Sequence, residues 1–132
     1  MPRDLVRLRQ DVVEMRQKMH DGHPNKTSLF DIKQDSGGMV DIEFMVQFIV
    51  LAHSAAHPEL TANRGNLALL DMAAKLKLID SELGDRVREL YRELRRIQHQ
   101  MRLNNQNPCR IERNLIDTAP VLTLWQSLLE RD

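Results

Sequence analysis

The residues from Val40 to about Ala56 constrain this chain more than any others. Ile42, Phe44, Met45, Val46, Phe48, Ile49, Val50 and Leu51 leave almost no polar face when the segment is wound as a helix. A helix that is apolar nearly all round is stable only when other elements surround it, so it predicts a central, buried rod closed by Pro58. The remaining chain must supply the wrapping. Leu5, Leu8, Val12, Met15 and Met19 step by three and four. That stripe predicts a helix from about Asp4 to His20, with Glu14 and Lys18 paired on its outside and Gly22 and Pro24 ending it. A third helix is predicted from about Gly65 to Leu78, with Leu67, Leu70, Ala74 and Leu78 inward. A fourth runs from about Glu82 to Leu103, capped by Ser81, with Val87, Leu90, Tyr91, Leu94, Ile97 and Met101 as its stripe. After the polar loop Asn104 to Pro108, a last helix spans about Ala119 to Glu130. It starts at Thr118, has Pro120 in its first turn and carries Val121, Leu124, Trp125 and Leu128. The sum is an all-α bundle of about five helices.

Leu29 to Lys33 alternates apolar and polar residues and reads as a short extended segment. A lone strand is unstable, so it must pair elsewhere or lie on the helices. Aromatic residues make up only 4% of the chain, which disfavours a sheet protein. A chain of 132 residues fits a single helical domain. Within it, 1–28 is a lead-in helix and loop, 29–38 the extended segment and Gly-Gly turn, and 39–132 the bundle. The periodic pattern begins almost at the first residue, so the chain is expected to be cut from a longer one.

Nineteen basic residues balance nineteen acidic ones, which argues against a dedicated nucleic-acid binder. No apolar run approaches the ~20 residues of a membrane span, and the N-terminus lacks the apolar core of a secretory signal. The single Cys109 allows no internal disulfide and has no base beside it in sequence. The expected location is the cytoplasm. Walker A, G-x-G-x-x-G, G-x-S-x-G and strand-borne D-x-D patterns are all missing.

The segment Asp31-Ile32-Lys33-Gln34-Asp35-Ser36-Gly37-Gly38-Met39-Val40-Asp41-Ile42-Glu43-Phe44 is the most informative for chemistry. Two glycines directly before a helix let the backbone approach a ligand, and the helix head offers free N–H groups. Together they can receive a phosphate, with Lys33 adding charge. Asp41 and Glu43 could hold a metal ion or position a hydroxyl. The plainer reading is that the acids cap the helix and the glycines make a turn. Gln47 falls within the apolar helix, on one line with Glu43 and Ser54, and is read as buried and bonded to a neighbouring segment or a domain seam. His53 and His57 have zinc-ligand spacing, but Ser54 occupies the place of the glutamate base and no third ligand is evident, so no metal site is expected. Arg88, Arg92, Arg95 or Arg96, His99 and Arg102 form a basic stripe on the fourth helix. It could face phosphates or an acidic partner, but pairing of Glu89 and Glu93 with Arg92 and Arg96 favours a solvated face. Arg110, Glu112 and Arg113 form a cluster without an assignment.

Phe30-Asp31-Ile32-Lys33, followed by Gly37 through Gln47, closely resembles glutamine synthetase adenylyltransferase. The resemblance continues through His57-Pro58-Glu59-Leu60, Asn66 to Ala73, Leu90-Tyr91, Leu94-Arg95 and the closing Trp125 to Leu128 helix. It covers nearly the whole chain, and its specific part is Asp31 to Gln47. The resemblance implies a helical domain that follows a nucleotidyltransferase module of a bacterial bifunctional enzyme. Asp41-Ile42-Glu43-Phe44 together with Asp31-Ile32-Lys33 favours the C-terminal, adenylylating half. PII uridylyltransferases share the Gly-Gly segment but fit the rest less well. Asp35 departs from the pattern, where glycine is common. The implied reaction moves AMP from ATP onto a tyrosine of glutamine synthetase, with Mg²⁺ held by carboxylates of the nucleotidyltransferase sheet. Those carboxylates are outside this chain, so it is expected to be inactive alone and to hold no cofactor. The residues implied to face the active cleft are Lys33, Gly37, Gly38, Asp41, Glu43 and Gln47, with Arg88, Arg92, Arg95 and Arg102 toward phosphate or a partner. The implied partners are glutamine synthetase, the PII signal protein and the enzyme's own nucleotidyltransferase domain, with no nucleic acid and no membrane. A docking module that senses glutamine is the alternative.

Overall fold

The computed structural model describes residues 2–62 and 64–130. Five helices dominate: α1 (Pro2–Asp21), α2 (Met39–His53), α3 (Asn66–Lys75), α4 (Ser81–Leu103) and α5 (Ala119–Leu129). Short 3-10 turns lie at Pro58–Thr61 and Arg113–Leu115. Two two-residue strands, β1 (Phe30–Asp31) and β2 (Arg110–Ile111), form a small antiparallel ribbon in which Phe30 faces Ile111 and Asp31 faces Arg110. Among the described residues no helix is long and apolar enough to cross a membrane.

The central rod is α2, which packs against α1, α3, α4 and α5. Met39, Val40, Ile42, Met45, Val46, Phe48 and Ile49 are buried along it. Each such side chain contributes about 1.5–3 kcal/mol by leaving water. The helical propensity lost to a β-branched Val or Ile is below about 0.7 kcal/mol, so burial decides the conformation. Val87, Leu94, Val121 and Leu124 close the core from α4 and α5.

Several expectations are corrected. Met15 is 61% exposed, and the inward residue of that turn of α1 is Arg16, at 5%. After Val12 the stripe steps by four, because a buried carboxylate on α2 lies opposite. Leu51 is exposed, and so is Gln47, which was expected to be buried. The cluster of Arg110 and Arg113 proves structural. β2 pairs with β1, Ile32 N–H donates to Cys109 O at 3.1 Å, and Arg113 Nε donates to Ser28 O at 3.0 Å. The extended segment therefore finds its partner about eighty residues away in sequence, Phe30 opposite Ile111 and Asp31 opposite Arg110.

The cap of α4 is also shifted by one residue. Asp80, not Ser81, is the N-cap, and its Oδ2 accepts from Leu83 N–H at 2.9 Å. Asp80→Ala is expected to cost about 1 kcal/mol in urea unfolding, and Ser81→Ala close to nothing. Equal losses would return the cap to Ser81.

Candidate functional site

The segment from Asp31 to Asp41 is held almost entirely by its own polar groups. Asp31 Oδ1 accepts from Lys33 N–H and Gln34 N–H, each at 3.0 Å, folding the chain back after β1. Asp35 Oδ2 accepts from Asn25 Nδ2 at 2.8 Å and from Asp31 N–H at 2.9 Å, so the carboxylate ties the segment to the preceding loop. The N–H groups at the head of α2 are already in use. Gly38 donates to Asp35 O at 2.9 Å, Met39 to Ile32 O at 2.8 Å and Val40 to Lys33 O at 3.1 Å. The expected phosphate seat at this helix head is thus filled by the chain's own carbonyls.

The glycines have steric reasons. Gly37 adopts φ +88°, and a Cβ there would lie 2.7 Å from Thr118 Cβ. A Cβ on Gly38 would lie 2.7 Å from Ile32 O and 2.9 Å from Asp35 O.

Asp41 is 5% exposed and both its oxygens are engaged. Oδ1 pairs with Arg16 Nε, and Oδ2 accepts from Gly37 N–H at 2.7 Å. Arg16 Nη2 donates to Gln34 O at 2.6 Å, and Nη1 has no hydrogen-bond partner among the described residues. One buried ion pair therefore joins α1, the Gly-Gly turn and α2. Asp41 works inside the fold, where a metal or hydroxyl would have to displace Arg16. Glu43 Oε2 accepts from Tyr91 OH at 3.0 Å, and Tyr91 OH accepts from Asn66 Nδ2 at 3.0 Å. This relay links α2, α4 and α3, and burial pushes the Tyr91 hydroxyl pKa above its ordinary value.

The six cleft candidates are not gathered into one cleft. Lys33 is exposed and lines an opening with Arg102 and Arg110, Asp41 and Ser36 line a second, and Gln47 lies in a third with Met15, Phe44 and Leu51. Gly37 and Gly38 are buried. The basic stripe of α4 is mostly paired: Arg88 with Asp71 (3.1 Å) and Asp85 (2.9 Å), Arg92 with Glu89 (3.3 Å) and Arg96 with Glu93 (Nε–Oε2 3.0 Å). Exposed pairs of this kind contribute about 0–1 kcal/mol. The Arg95 guanidinium stands 6.0 Å from the Tyr91 ring centre. His53 is held below its ordinary pKa by burial first, then by His57 and Arg9.

Sequence reasoning missed Arg16. Its signal was positional: four residues after Val12 it falls on the same stripe as Leu5, Leu8 and Val12.

A family model described as GlnD PII-uridylyltransferase matches residues 6–109. A protein of Bordetella bronchiseptica named bifunctional glutamine synthetase adenylyltransferase/adenylyl-removing enzyme is 46% identical over 98% of this chain and 14% of its own length. Proteins of the same name from Aromatoleum aromaticum and Chromobacterium violaceum are 50% and 42% identical, over 79% and 99% of the chain. The chain spans about 14% of the length of the first of these relatives. It belongs to the GlnD PII-uridylyltransferase family and is similar, along nearly its whole length, to one segment of the bifunctional glutamine synthetase adenylyltransferase/adenylyl-removing enzymes.

Proposed function

We propose that this chain is the helical domain that follows the adenylylating nucleotidyltransferase module of such an enzyme. There it supports transfer of AMP from ATP to a tyrosine of glutamine synthetase in the bacterial cytoplasm. The observation that carries this reading is the match over 98% of the chain to a segment making up 14% of an adenylyltransferase relative. Among the described residues no group of three or more His, Cys, Asp or Glu is placed to hold a metal ion, and Asp41 is committed to Arg16. The residues present do not fit Mg²⁺. In this reading Mg²⁺ and ATP belong to the nucleotidyltransferase module, and no chemical step runs through this chain.

Its contribution is positioning. The buried Arg16–Asp41 pair and the Gly-Gly turn fix the path of 31–41, and Lys33 stands exposed on that path. An exposed cation at a module boundary can neutralise phosphate charge without doing bond chemistry.

The test is a chimera in which this chain replaces the aligned segment of the Bordetella bronchiseptica enzyme. Transfer of labelled AMP to glutamine synthetase is expected to persist in the chimera and to be undetectable with the 132-residue chain alone. A folded chimera without transfer overturns the reading, as does transfer by the chain alone.

A second reading, a docking module for glutamine synthetase or the PII signal protein, is favoured by the apolar strip of Leu8, Val12, Met15, Phe44 and Leu51. Met15→Ser in the chimera separates the two: lost partner affinity with unchanged turnover of bound target supports docking.

A further inference from the structure

The opening lined by Lys33 shares no residue with the one lined by Asp41. Its volume of about 470 Å³ falls in the range of small-ligand sites. Three cations line it, each from a different part of the fold: Lys33 from the turn after β1, Arg102 from the end of α4 and Arg110 from β2. They face a single carboxylate, Asp31. That carboxylate is already occupied, since Oδ1 takes two backbone N–H groups and Oδ2 lies 3.6 Å from Arg110 Nε. Lys33 and Arg102 form no ion pair among the described residues, which separates Arg102 from the paired arginines farther up α4.

Two lining residues also carry buried atoms without a hydrogen-bond partner among the described residues. Gln34 is 8% exposed, and its Oε1 has no hydrogen-bond partner among the described residues. Arg110 Nε is buried and makes no hydrogen bond either. Buried polar atoms in folded proteins normally find partners. Two cations without an ion pair among the described residues, beside a third whose carboxylate partner is already occupied, describe the complement of an anion.

We propose that this opening binds a small phosphate-bearing molecule, with Lys33, Arg102 and Arg110 holding the phosphate. Two free positive charges match a phosphate monoester, which carries about −1.5 to −2 at neutral pH, better than a single carboxylate. The inference shares Lys33 with the proposed function but not its premise, because binding needs only the 132-residue chain. Failure of either leaves the other standing.

The test is calorimetric titration with inorganic phosphate, ribose 5-phosphate and ribose, read alongside backbone amide shifts. Phosphate and ribose 5-phosphate are both expected to bind and to move the amides of Lys33, Gln34 and Arg110, and ribose is expected not to bind. Lys33→Gln and Arg102→Gln are each expected to weaken binding about tenfold or more, since a charged hydrogen bond is lost. Arg86→Gln, whose partner Glu82 lies on the same helix away from the opening, is expected to change nothing. Absence of saturable binding by both phosphates overturns the proposal. So does binding indifferent to both substitutions. Ribose binding as tightly as ribose 5-phosphate overturns it as well.

Discussion

Arg16→Met is expected to destabilise the chain by about 3–5 kcal/mol, the usual cost of removing one partner of a buried ion pair. The substitution keeps most of the side-chain volume, so the loss is electrostatic. It strands the Asp41 carboxylate, 5% exposed, with only Gly37 N–H as a partner, and it also removes the donor to Gln34 O. Native stability is about 5–15 kcal/mol, so a large share is at risk, seen as a fall of roughly 10–20 °C in melting temperature. Asp41→Asn can keep the Gly37 bond while leaving Arg16 unpaired. The double variant Arg16→Met/Asp41→Asn is expected to lose less than the sum of the single losses, because it strands neither charge. Additive losses in urea unfolding would show that the two side chains do not act as a pair.

Gly38→Ala is expected to cost about 3 kcal/mol, at the upper end for overpacking. The added methyl would meet Ile32 O at 2.7 Å and Asp35 O at 2.9 Å, and these are backbone atoms that cannot rotate away. Both carbonyls also accept the hydrogen bonds that seat the head of α2. Gly37→Ala is expected to cost a similar amount, from the left-handed conformation at φ +88° and the contact with Thr118 Cβ. Gly65→Ala is the control. Nothing among the described residues lies within 4 Å of its added Cβ, and its φ is −72°. Alanine is the poorer N-cap for α3, which offsets the gain from the unfolded state, so the net change is expected to stay within about 1 kcal/mol either way. Were the glycines shaped for a ligand alone, alanine at 37 and 38 would spare urea stability and only weaken binding.

These two predictions mark where the sequence was legible. The rod of α2 could be read because Ile42 to Ile49 is apolar on every side, and no other conformation buries such a run within a helical chain. The start of α5 was legible because Thr118 and Pro120 suit only the first turn. The burial of Arg16 was not legible. Positions 15 and 16 both continue a helical stripe, and the choice was made by Asp41, 25 residues away. The ribbon was half legible. Leu29 to Lys33 alternates visibly, although only Phe30 and Asp31 of it form β1, whereas the equally short β2, Arg110 and Ile111, reads only as part of a charged cluster. Asp80 and Ser81 both make good caps, and only the bond to Leu83 N–H separates them.

The candidate site divides in the same way. The Asp31–Gln47 segment is marked in the sequence by its glycines and acids, and in the fold Gly37, Gly38 and Asp41 make close contacts within the chain itself. Lys33 and Arg102 stood apart in sequence, one beside the glycines and the other in a basic stripe, and only the folded chain brings them to one opening. The expectation of a buried Gln47 failed because α2 exposes one edge at Gln47 and Leu51.

In the proposed function, Asp31 to Asp41 is a structural joint that holds Lys33 outward for phosphate. The direct test is the rate of AMP transfer to glutamine synthetase by the chimera carrying Lys33→Gln, at a temperature where unfolding is negligible. The rate is expected to fall about tenfold or more, with unfolding free energy and affinity for glutamine synthetase unchanged. A rate within about twofold of the parent would contradict it.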